Sequence, residues 1–399
     1  MSERRVFIGG AGAISPIANN VSELIANLLR GDVGLKREIA NDQSYVLGRA
    51  HYEVAPFKTA TNKKLAPRWG TLAIGAAEQA LENYPESYRA KKVGGVYMGM
   101  GMVPVDVIMK SVSRFQRNNT VSPTTLLSGL PNIAAILIAM EHNLTGPCHA
   151  YAMACASALA SLHRAYLDVS KGVIDYAVAG GVDSALDAAS LASWKAMRVL
   201  SNLNENGRAC IPFGMGRRGI CLAEGAVAFL LGTEHVVPPE ERWCEMRGFG
   251  ESCDAHHFTT PTLEGQILSM NRALKNADLE PQDIDLVIAH GTGTIVGDKT
   301  ESTAIASVFG GLNADVPVTS NKGMLGHTLG ASGGFNICSA LTALVSGKVH
   351  GTYPTDRVDA QIQSNVILQS TRFPSGFRNI LVNSFAFGGI NVSAVVSAV

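Results

Sequence analysis

The 399-residue sequence lacks the features of several protein classes. Lysine plus arginine and aspartate plus glutamate both total 33, so there is no net charge to favour a nucleic-acid partner. The seven cysteines are scattered and form no Cys-x-x-Cys pair, which argues against a disulfide framework or a zinc site and favours a reducing compartment. No apolar run reaches the roughly 18 residues that span a bilayer. These absences predict a soluble cytoplasmic protein without nucleic-acid, membrane or metal contacts.

Short β-rich runs alternate with helical stretches along the whole chain, which predicts an α/β fold with helices layered against sheets. The 41 glycines and the low aromatic content of 6% suit close packing of helices on sheets. Residues 234–242 contain paired prolines and charges and predict a connector between two halves, 1–237 and 238–399. The predicted strands are 5–9, 94–98, 175–179, 227–231, 243–248, 286–290, 316–320, 379–382 and 391–397.

One cysteine occupies a position that suits a nucleophile. Residues 146–153 predict an extended buried strand, and residues 156–169 predict a helix. Cys155 then lies at the helix N-terminus, where unpaired backbone N–H groups and the helix dipole favour a thiolate. The alternative is an ordinary packing cysteine, because free cysteines are commonly buried.

Two later segments carry histidines among small residues. His290 begins a His-Gly-Thr-Gly-Thr run directly after an apolar strand, and Thr292 and Thr294 supply hydroxyls for a polar substrate arm. Lys322 begins a second run that contains His327 and continues with small residues, as expected for a helix start packed against other backbone. Each histidine could instead be a core residue, and Lys322 a surface charge.

A third segment, residues 383–389 (Asn-Ser-Phe-Ala-Phe-Gly-Gly), predicts a glycine-rich turn near the C-terminus. This turn could direct a backbone N–H toward a developing oxyanion, and Phe387 could move as a gate. Together with the cysteine and the two histidines, the segment meets the needs of a thioester-exchanging enzyme: a soft nucleophile, donors to a thioester oxygen and room for a long arm.

In this order, the motifs resemble the β-ketoacyl synthases of type II fatty acid and polyketide systems, nearly from end to end. The resemblance includes the opening run 6–16, Cys155 with its flanking residues, the run 254–259, the two histidine segments and the Phe-Gly-Gly turn. It implies a thiolase fold of two similar α/β halves in an α-β-α-β-α arrangement. It also implies an acyltransferase that performs decarboxylative Claisen condensation.

The resemblance implies a role for each site residue. Cys155 would accept an acyl group from a carrier-protein or coenzyme A thioester, and His290 and His327 would bind the carbonyl of the malonyl thioester. The backbone N–H groups of Cys155 and Phe387, with Gly388 beside them, would form the oxyanion hole. The supporting residues would be a Lys322–Glu301 ion pair and, along the phosphopantetheine tunnel, Thr259, Thr292 and Thr294.

The implied partners are an acyl carrier protein, acyl and malonyl thioesters, and a second subunit. No cofactor is implied beyond the phosphopantetheine of the carrier. A homodimer is expected, with the strand around 148–153 at its interface, and a heterodimer with a chain-length partner is the alternative. Residues 211–219 lack two acidic residues and one arginine of the family pattern, so carrier docking is expected to differ. Arg208, Arg217 or Arg218 could take the place of the missing arginine.

Three related classes within the same fold can be tested against the sequence. A degradative thiolase needs a second cysteine near the C-terminus, whereas Cys338 lies in a predicted helix and the end of the chain has none. Starter-condensing synthases use asparagine where this chain has His327. A noncatalytic chain-length or scaffold subunit would lack the nucleophile Cys155. A ketosynthase subunit of a specialised polyketide or polyene system is a further alternative to housekeeping fatty acid synthesis.

Overall fold

The computed structural model describes residues 4–40, 42–52, 57–203, 207–310 and 315–399. Its strands are β1 (Val6–Ile14), β2 (Leu35–Ala40), β3 (Gln43–Gly48), β4 (Gly94–Gly99), β5 (Cys148–Tyr151), β6 (Tyr176–Asp183), β7 (Gly225–Gly232), β8 (Cys244–Cys253), β9 (Leu286–Ile288), β10 (Pro317–Thr319), β11 (Lys348–Val349), β12 (Asn365–Val366), β13 (Thr371–Arg372), β14 (Asn379–Ala386) and β15 (Ile390–Ser397). Each of the nine predicted strands overlaps one of these.

The helices alternate with the strands along the chain. They are α1 (Val21–Arg30), α2 (Ala60–Leu65), α3 (Arg68–Ala80), α4 (Glu86–Arg89), α5 (Val105–Asn118), α6 (Thr125–Ser128), α7 (Ile133–His142), α8 (Ser157–Ser170), α9 (Ala188–Ala196), α10 (Leu263–Ala277), α11 (Ile295–Phe309), α12 (Lys322–Leu325) and α13 (Ser332–Ser346). The predicted helix 156–169 corresponds to α8.

Eleven strands form one mixed sheet in the order β12-β10-β9-β14-β15-β8-β1-β7-β6-β4-β5. From β1 outward, β7 and β6 pair antiparallel and β4 and β5 pair parallel. From β8 outward, β15 and β14 pair antiparallel and β9 and β10 pair parallel. The two halves therefore repeat one strand order and meet where β1 pairs with β8. The chain division at 237/238 stays a prediction.

Helices lie on both sides of each half-sheet. The core between the halves contains Leu159 of α8 and Phe335 of α13, packed with strand residues of both halves. A second core packs α3 and α7 on the first half, and a third packs α10 and α11 on the second half. This order of layers confirms the predicted α-β-α-β-α thiolase fold.

The central position of α13 explains its apolar sequence. The stretch Leu329–Ser346 is long and apolar enough to cross a membrane by length and composition, with a mean hydropathy of 1.3. This finding differs from the expectation that no apolar run has that length. The physical reason is burial, since 83% of the stretch lies inside the protein as a core helix between the two half-sheets.

One predicted burial is wrong. The segment before Cys155 was expected to be a buried strand, but β5 is the edge strand of the sheet and Cys148, His149 and Ala150 are exposed. Helix α5 of the same half also contains no buried residue, although Ile108 and Phe115 on its surface are large and apolar. The first half therefore presents an unpaired strand edge at β5 and exposed apolar side chains on α5.

Candidate active site

The nucleophile position is built by a strained turn between β5 and α8. Ala154 has a φ of +45°, a left-handed conformation that is costly for a residue with a side chain. The Ser157 hydroxyl accepts from the Met153 N–H at 2.9 Å and donates to the Ala154 carbonyl at 2.6 Å, so it fixes this turn. The Ser384 hydroxyl donates to the Cys155 carbonyl at 2.8 Å and ties the turn to β14. Cys155 is thereby held at the predicted helix start.

The expected preference of Cys155 for the thiolate is wrong for the resting protein. Burial raises the pKa of the Cys155 thiol to about 12, although the Lys322 ammonium and the backbone N–H groups of Cys155 and Phe387 act in the opposite direction. The helix-start N–H groups do favour the anion, as expected, but removing the thiolate from water costs more. Cys155 therefore rests as a thiol.

The turn that carries His290 is organised by two buried carboxylates of α11. Glu301 accepts the backbone N–H groups of His290 and Gly291, both at 2.7 Å. Asp298 accepts those of Thr292 at 2.9 Å and Gly293 at 3.1 Å. Burial lowers the pKa of His290 well below its usual value, with a smaller contribution from Lys322. His290 is therefore a neutral imidazole on a turn held by backbone hydrogen bonds to two buried acidic side chains.

The second histidine has a defined tautomer. His327 follows α12, and its backbone N–H donates to the Cys221 carbonyl at 2.7 Å. Its Nδ1 accepts the Leu329 backbone N–H at 3.2 Å, so the proton of the neutral ring lies on Nε2. Burial lowers the pKa of His327 to about 3. The ring is therefore a neutral hydrogen-bond donor at physiological pH.

The structure brings the three predicted reactive groups together. One ligand atom each of Cys155, His290 and His327 lies within 4.8 Å of the others, and all three residues are buried. The two rings meet edge to face with centroids 5.3 Å apart. A thiol and two imidazoles are also ligand types that zinc accepts. The absence of a metal stays an expectation.

Lys322 lies close to this group but not in the predicted ion pair. Its ammonium donates to the amide oxygens of Asn336 at 2.9 Å and Asn321 at 3.2 Å, whereas both Glu301 oxygens accept backbone N–H groups. The direct Lys322–Glu301 pair is therefore wrong, because each group is satisfied by other partners. Burial lowers the pKa of Lys322 to about 8, and the charge of Glu301 opposes that shift through space.

The Phe-Gly-Gly turn closes over Cys155. Gly388 has a φ of +83°, and Gly389 has a φ of +73° with no room for a side chain beside Asp254. The Gly388 N–H donates to the Phe258 carbonyl at 2.7 Å, so it is occupied by the protein. The Phe387 ring stacks on Trp194 with centroids 6.0 Å apart. Two backbone N–H groups, of Cys155 and Phe387, face the sulfur.

A cavity of about 380 Å³ opens at this group. Cys155, His290 and His327 lie in its wall together with the three predicted tunnel residues Thr259, Thr292 and Thr294. The hydroxyls of Thr292 and Thr294 are 3.1 Å apart. The arrangement can receive a slender polar arm and place a carbonyl between the thiol and the imidazoles.

The three arginines that were expected to serve in carrier docking differ in their surroundings. Arg217 is buried, donates to the carbonyls of Thr294 and Ile295 at 3.1 Å and pairs with Asp359 at 2.9 Å. Its expected role in carrier docking is wrong, because it is not on the surface. Arg208 pairs with Asp356 at 2.6 Å, whereas Arg218 is exposed in the cavity wall.

Several residues of the site lay outside the sequence predictions. Asn336 orients Lys322 and donates to the carbonyls of Ala289 at 3.3 Å and Asn383 at 2.8 Å. Asp183, at the end of β6, accepts the N–H groups of Gly101 at 2.8 Å and Gly330 at 2.7 Å and raises the pKa of Cys155. Polar residues inside apolar runs were the available signal, but most of their partners come from distant parts of the sequence: Ala289 and Asn383 are each 47 positions from Asn336, and Gly101 and Gly330 are 82 and 147 positions from Asp183.

Comparison with known proteins agrees with this geometry. Residues 3–236 match "Beta-ketoacyl synthase, N-terminal domain" and residues 243–356 match "Beta-ketoacyl synthase, C-terminal domain". A 3-oxoacyl-[acyl-carrier-protein] synthase 2 from Coxiella burnetii is 30% identical with full coverage of both chains. A mitochondrial 3-oxoacyl-[acyl-carrier-protein] synthase from Arabidopsis thaliana is 29% identical over all of this chain and 94% of its own.

A solved structure extends the comparison to the fold. It is described as the ishigamide ketosynthase/chain length factor, is 25% identical, covers both chains completely and has a TM-score of 0.91. The two matched domains span most of the sequence, and the relative from Coxiella matches along its whole length. The chain therefore belongs to the β-ketoacyl synthase family of condensing enzymes.

Proposed function

We propose that the chain is a β-ketoacyl-acyl-carrier-protein synthase that joins a Cys155-bound acyl group to a malonyl thioester with loss of carbon dioxide. The observation that carries this proposal is the convergence of the Cys155 thiol, the His290 ring and the His327 ring in the wall of one cavity. The family relationship supplies the reaction class, and the positions of these groups supply the roles of the residues.

The first step loads the enzyme. The Cys155 sulfur loses its proton and attacks the acyl thioester, and the thiol of the arm leaves and takes up a proton. With a pKa of about 12, the thiolate is rare at neutral pH, so deprotonation must accompany attack. His290 can accept that proton, because its ring is neutral and its Nδ1 has no hydrogen-bond partner among the described residues.

The second step makes the carbon nucleophile. The malonyl carboxylate leaves as carbon dioxide, and its electron pair forms an enolate whose charge lies on the thioester oxygen. His327 Nε2–H is a fixed neutral donor for that oxygen, and His290 becomes a second donor when its Nε2 carries the proton. Lys322 adds a positive charge nearby without contacting the substrate.

The third step forms the carbon–carbon bond. The enolate attacks the acyl carbonyl on Cys155, and the backbone N–H groups of Cys155 and Phe387 stabilise the resulting oxyanion. Collapse of that intermediate expels the Cys155 thiolate, which regains a proton, and leaves a β-ketoacyl group on the arm. No cofactor is required beyond the phosphopantetheine that carries the substrates, and seven free cysteines fit a cytoplasmic setting.

Carrier-protein docking is assigned to the cavity mouth. Arg198 and Arg218 are exposed and lie in the cavity wall, and neither guanidinium has a partner among the residues that the structure describes. An acidic carrier protein would find two free cations there.

Arg218→Glu is expected to raise KM for a carrier-bound substrate about 10-fold while KM for the coenzyme A thioester changes little. Lys275→Glu, at an exposed position at the end of α10, is the control.

Dimerisation is proposed on the exposed edge of the first half. β5 would pair with a second subunit, and the apolar surface of α5 would be covered. The related ketosynthase/chain length factor makes a heterodimer with a noncatalytic partner the second candidate arrangement. In either arrangement this chain supplies the nucleophile, because Cys155 and both histidines are present.

Acyl transfer followed by condensation tests the proposed function. Wild-type protein incubated with a labelled acyl-carrier protein is expected to bind the label covalently, and addition of malonyl-carrier protein is expected to release a β-ketoacyl product. Cys155→Ala is expected to remain unlabelled. Failure of the folded wild-type protein to acquire label would contradict the proposal.

A further inference from the structure

A buried glutamine lies in the cavity wall, on the helix that follows the Thr259 segment. Gln266 lies in the first turn of α10, is 2% exposed and lines the same cavity as Cys155. Its Oε1 is buried and has no hydrogen-bond partner in the part of the chain that the structure describes. A buried amide without a partner is destabilising by about 1–3 kcal/mol, so a retained one suggests a ligand that satisfies it.

The position of Gln266 is rigid, which a binding residue needs. The preceding Gly265 packs so tightly that an added Cβ would lie 1.8 Å from an Asp254 oxygen. The Gly265 carbonyl accepts the Ser252 hydroxyl at 2.6 Å, and the Gln266 carbonyl accepts that of Ser269 at 2.9 Å. The backbone of Gln266 is therefore fixed before a ligand binds, so ordering this segment adds no cost at the moment of binding.

The neighbouring wall indicates which part of the substrate Gln266 meets. The segment before α10 places Thr259, Thr260 and Pro261 in the cavity wall, and the N–H groups of both threonines are anchored on His257 Nδ1 at 3.1 Å. This is the wall assigned to the phosphopantetheine arm. A saturated acyl chain offers no hydrogen bond, whereas the arm carries secondary amides, each with one donor and one acceptor. A primary amide side chain can complement either group.

We infer that Gln266 binds an amide of the phosphopantetheine arm and so contributes to recognition of the thioester carrier. This inference rests on the proposed function. Gln266 contacts the arm and not the reacting atoms, so it is a binding residue, and its contribution depends on whether the substrate contains the amide. That dependence separates binding from a structural role.

The test compares Gln266→Met with wild type on three malonyl thioesters. Coenzyme A carries the complete arm, N-acetylcysteamine carries the amide nearest the sulfur, and a simple alkanethiol carries none. Methionine keeps the length and volume of glutamine but removes both polar groups. We expect kcat/KM for decarboxylation of malonyl-CoA to fall about 3- to 10-fold, with no change for the alkanethiol ester. The N-acetylcysteamine ester tells which amide is bound.

Gln363→Met is the matched control, because Gln363 is exposed and does not line the cavity. An equal loss on all three thioesters, or no loss on any, would overturn the inference. If Gln266→Met does not fold, wild-type protein with an ester-for-amide analogue of the arm replaces it; an unchanged kcat/KM for the analogue would equally overturn the inference. Wild-type protein inactive toward every thioester would instead contradict the proposed function.

Discussion

At the scale of single residues, Cys155 gives a pH dependence that distinguishes it from an activated thiolate. Because burial raises its pKa to about 12, the rate of alkylation by iodoacetamide is expected to rise about tenfold per pH unit from pH 6 to 10. The measurement is the rate of modification of Cys155 by peptide mass spectrometry. Cys148 and Cys253 are exposed, so Cys155→Ala supplies the background. A plateau below pH 8 would show a thiolate stabilised at neutral pH.

The two histidines separate acyl loading from carbanion formation. His327→Ala removes the donor held by the Leu329 N–H, and decarboxylation of the malonyl thioester is expected to fall about 10²- to 10³-fold. Acylation of Cys155 is expected to be partly retained, since the oxyanion N–H groups come from the backbone. For His290→Ala we expect the same loss of decarboxylation with slower acylation. Unchanged decarboxylation in His327→Ala would remove that ring from the mechanism.

At the scale of secondary-structure elements, Glu301 connects α11 to the turn that carries His290. Burial raises its pKa to about 7 from 4.5, so its contribution to stability is complete below about pH 4.5 and decreases as pH rises through 7. The glutamine of Glu301→Gln does not titrate. Its amide has only one acceptor oxygen, so one of the two backbone N–H groups faces an NH2 donor. We expect the variant to be less stable by about 1–3 kcal/mol at pH 5, with the difference becoming smaller toward pH 7.5.

Chemical denaturation of both proteins at several pH values measures this difference directly. Glu264→Gln is the control, because Glu264 is exposed on α10. A difference between wild type and Glu301→Gln that grows with pH would contradict the raised pKa. If the difference in free energy of unfolding stayed constant with pH, Glu301 would stabilise the protein through its hydrogen bonds alone and not through a raised pKa.

The elements also show what the sequence could and could not predict. Strands and helices follow from local periodicity, so β4, β7, β14 and α8 lie where they were expected. The exposure of β5 depends on its position at the sheet edge, which local periodicity does not contain. Local periodicity also does not predict the partners of Lys322, since Asn336 enters the site from a different helix.

At the scale of the whole molecule, the sheet edge and α5 predict association. Ile108→Lys with Phe115→Lys is expected to shift a dimer toward monomer, because both side chains are exposed and apolar on α5, which the proposed interface covers. Sedimentation velocity measures the change. Val345→Lys is the control, since Val345 is 59% exposed at the end of α13. A wild-type protein that is fully active as a monomer would contradict the proposed assembly.

We propose that the whole enzyme carries the growing chain on the sulfur of Cys155. Mass spectrometry of the protein after exposure to a mixed pool of acyl-carrier proteins tests it most directly. We predict one acyl adduct, located on the Cys155 peptide and absent from Cys155→Ala, whose mass reports the preferred chain. An adduct on another residue, or none on folded protein in the presence of a competent carrier, would contradict the account.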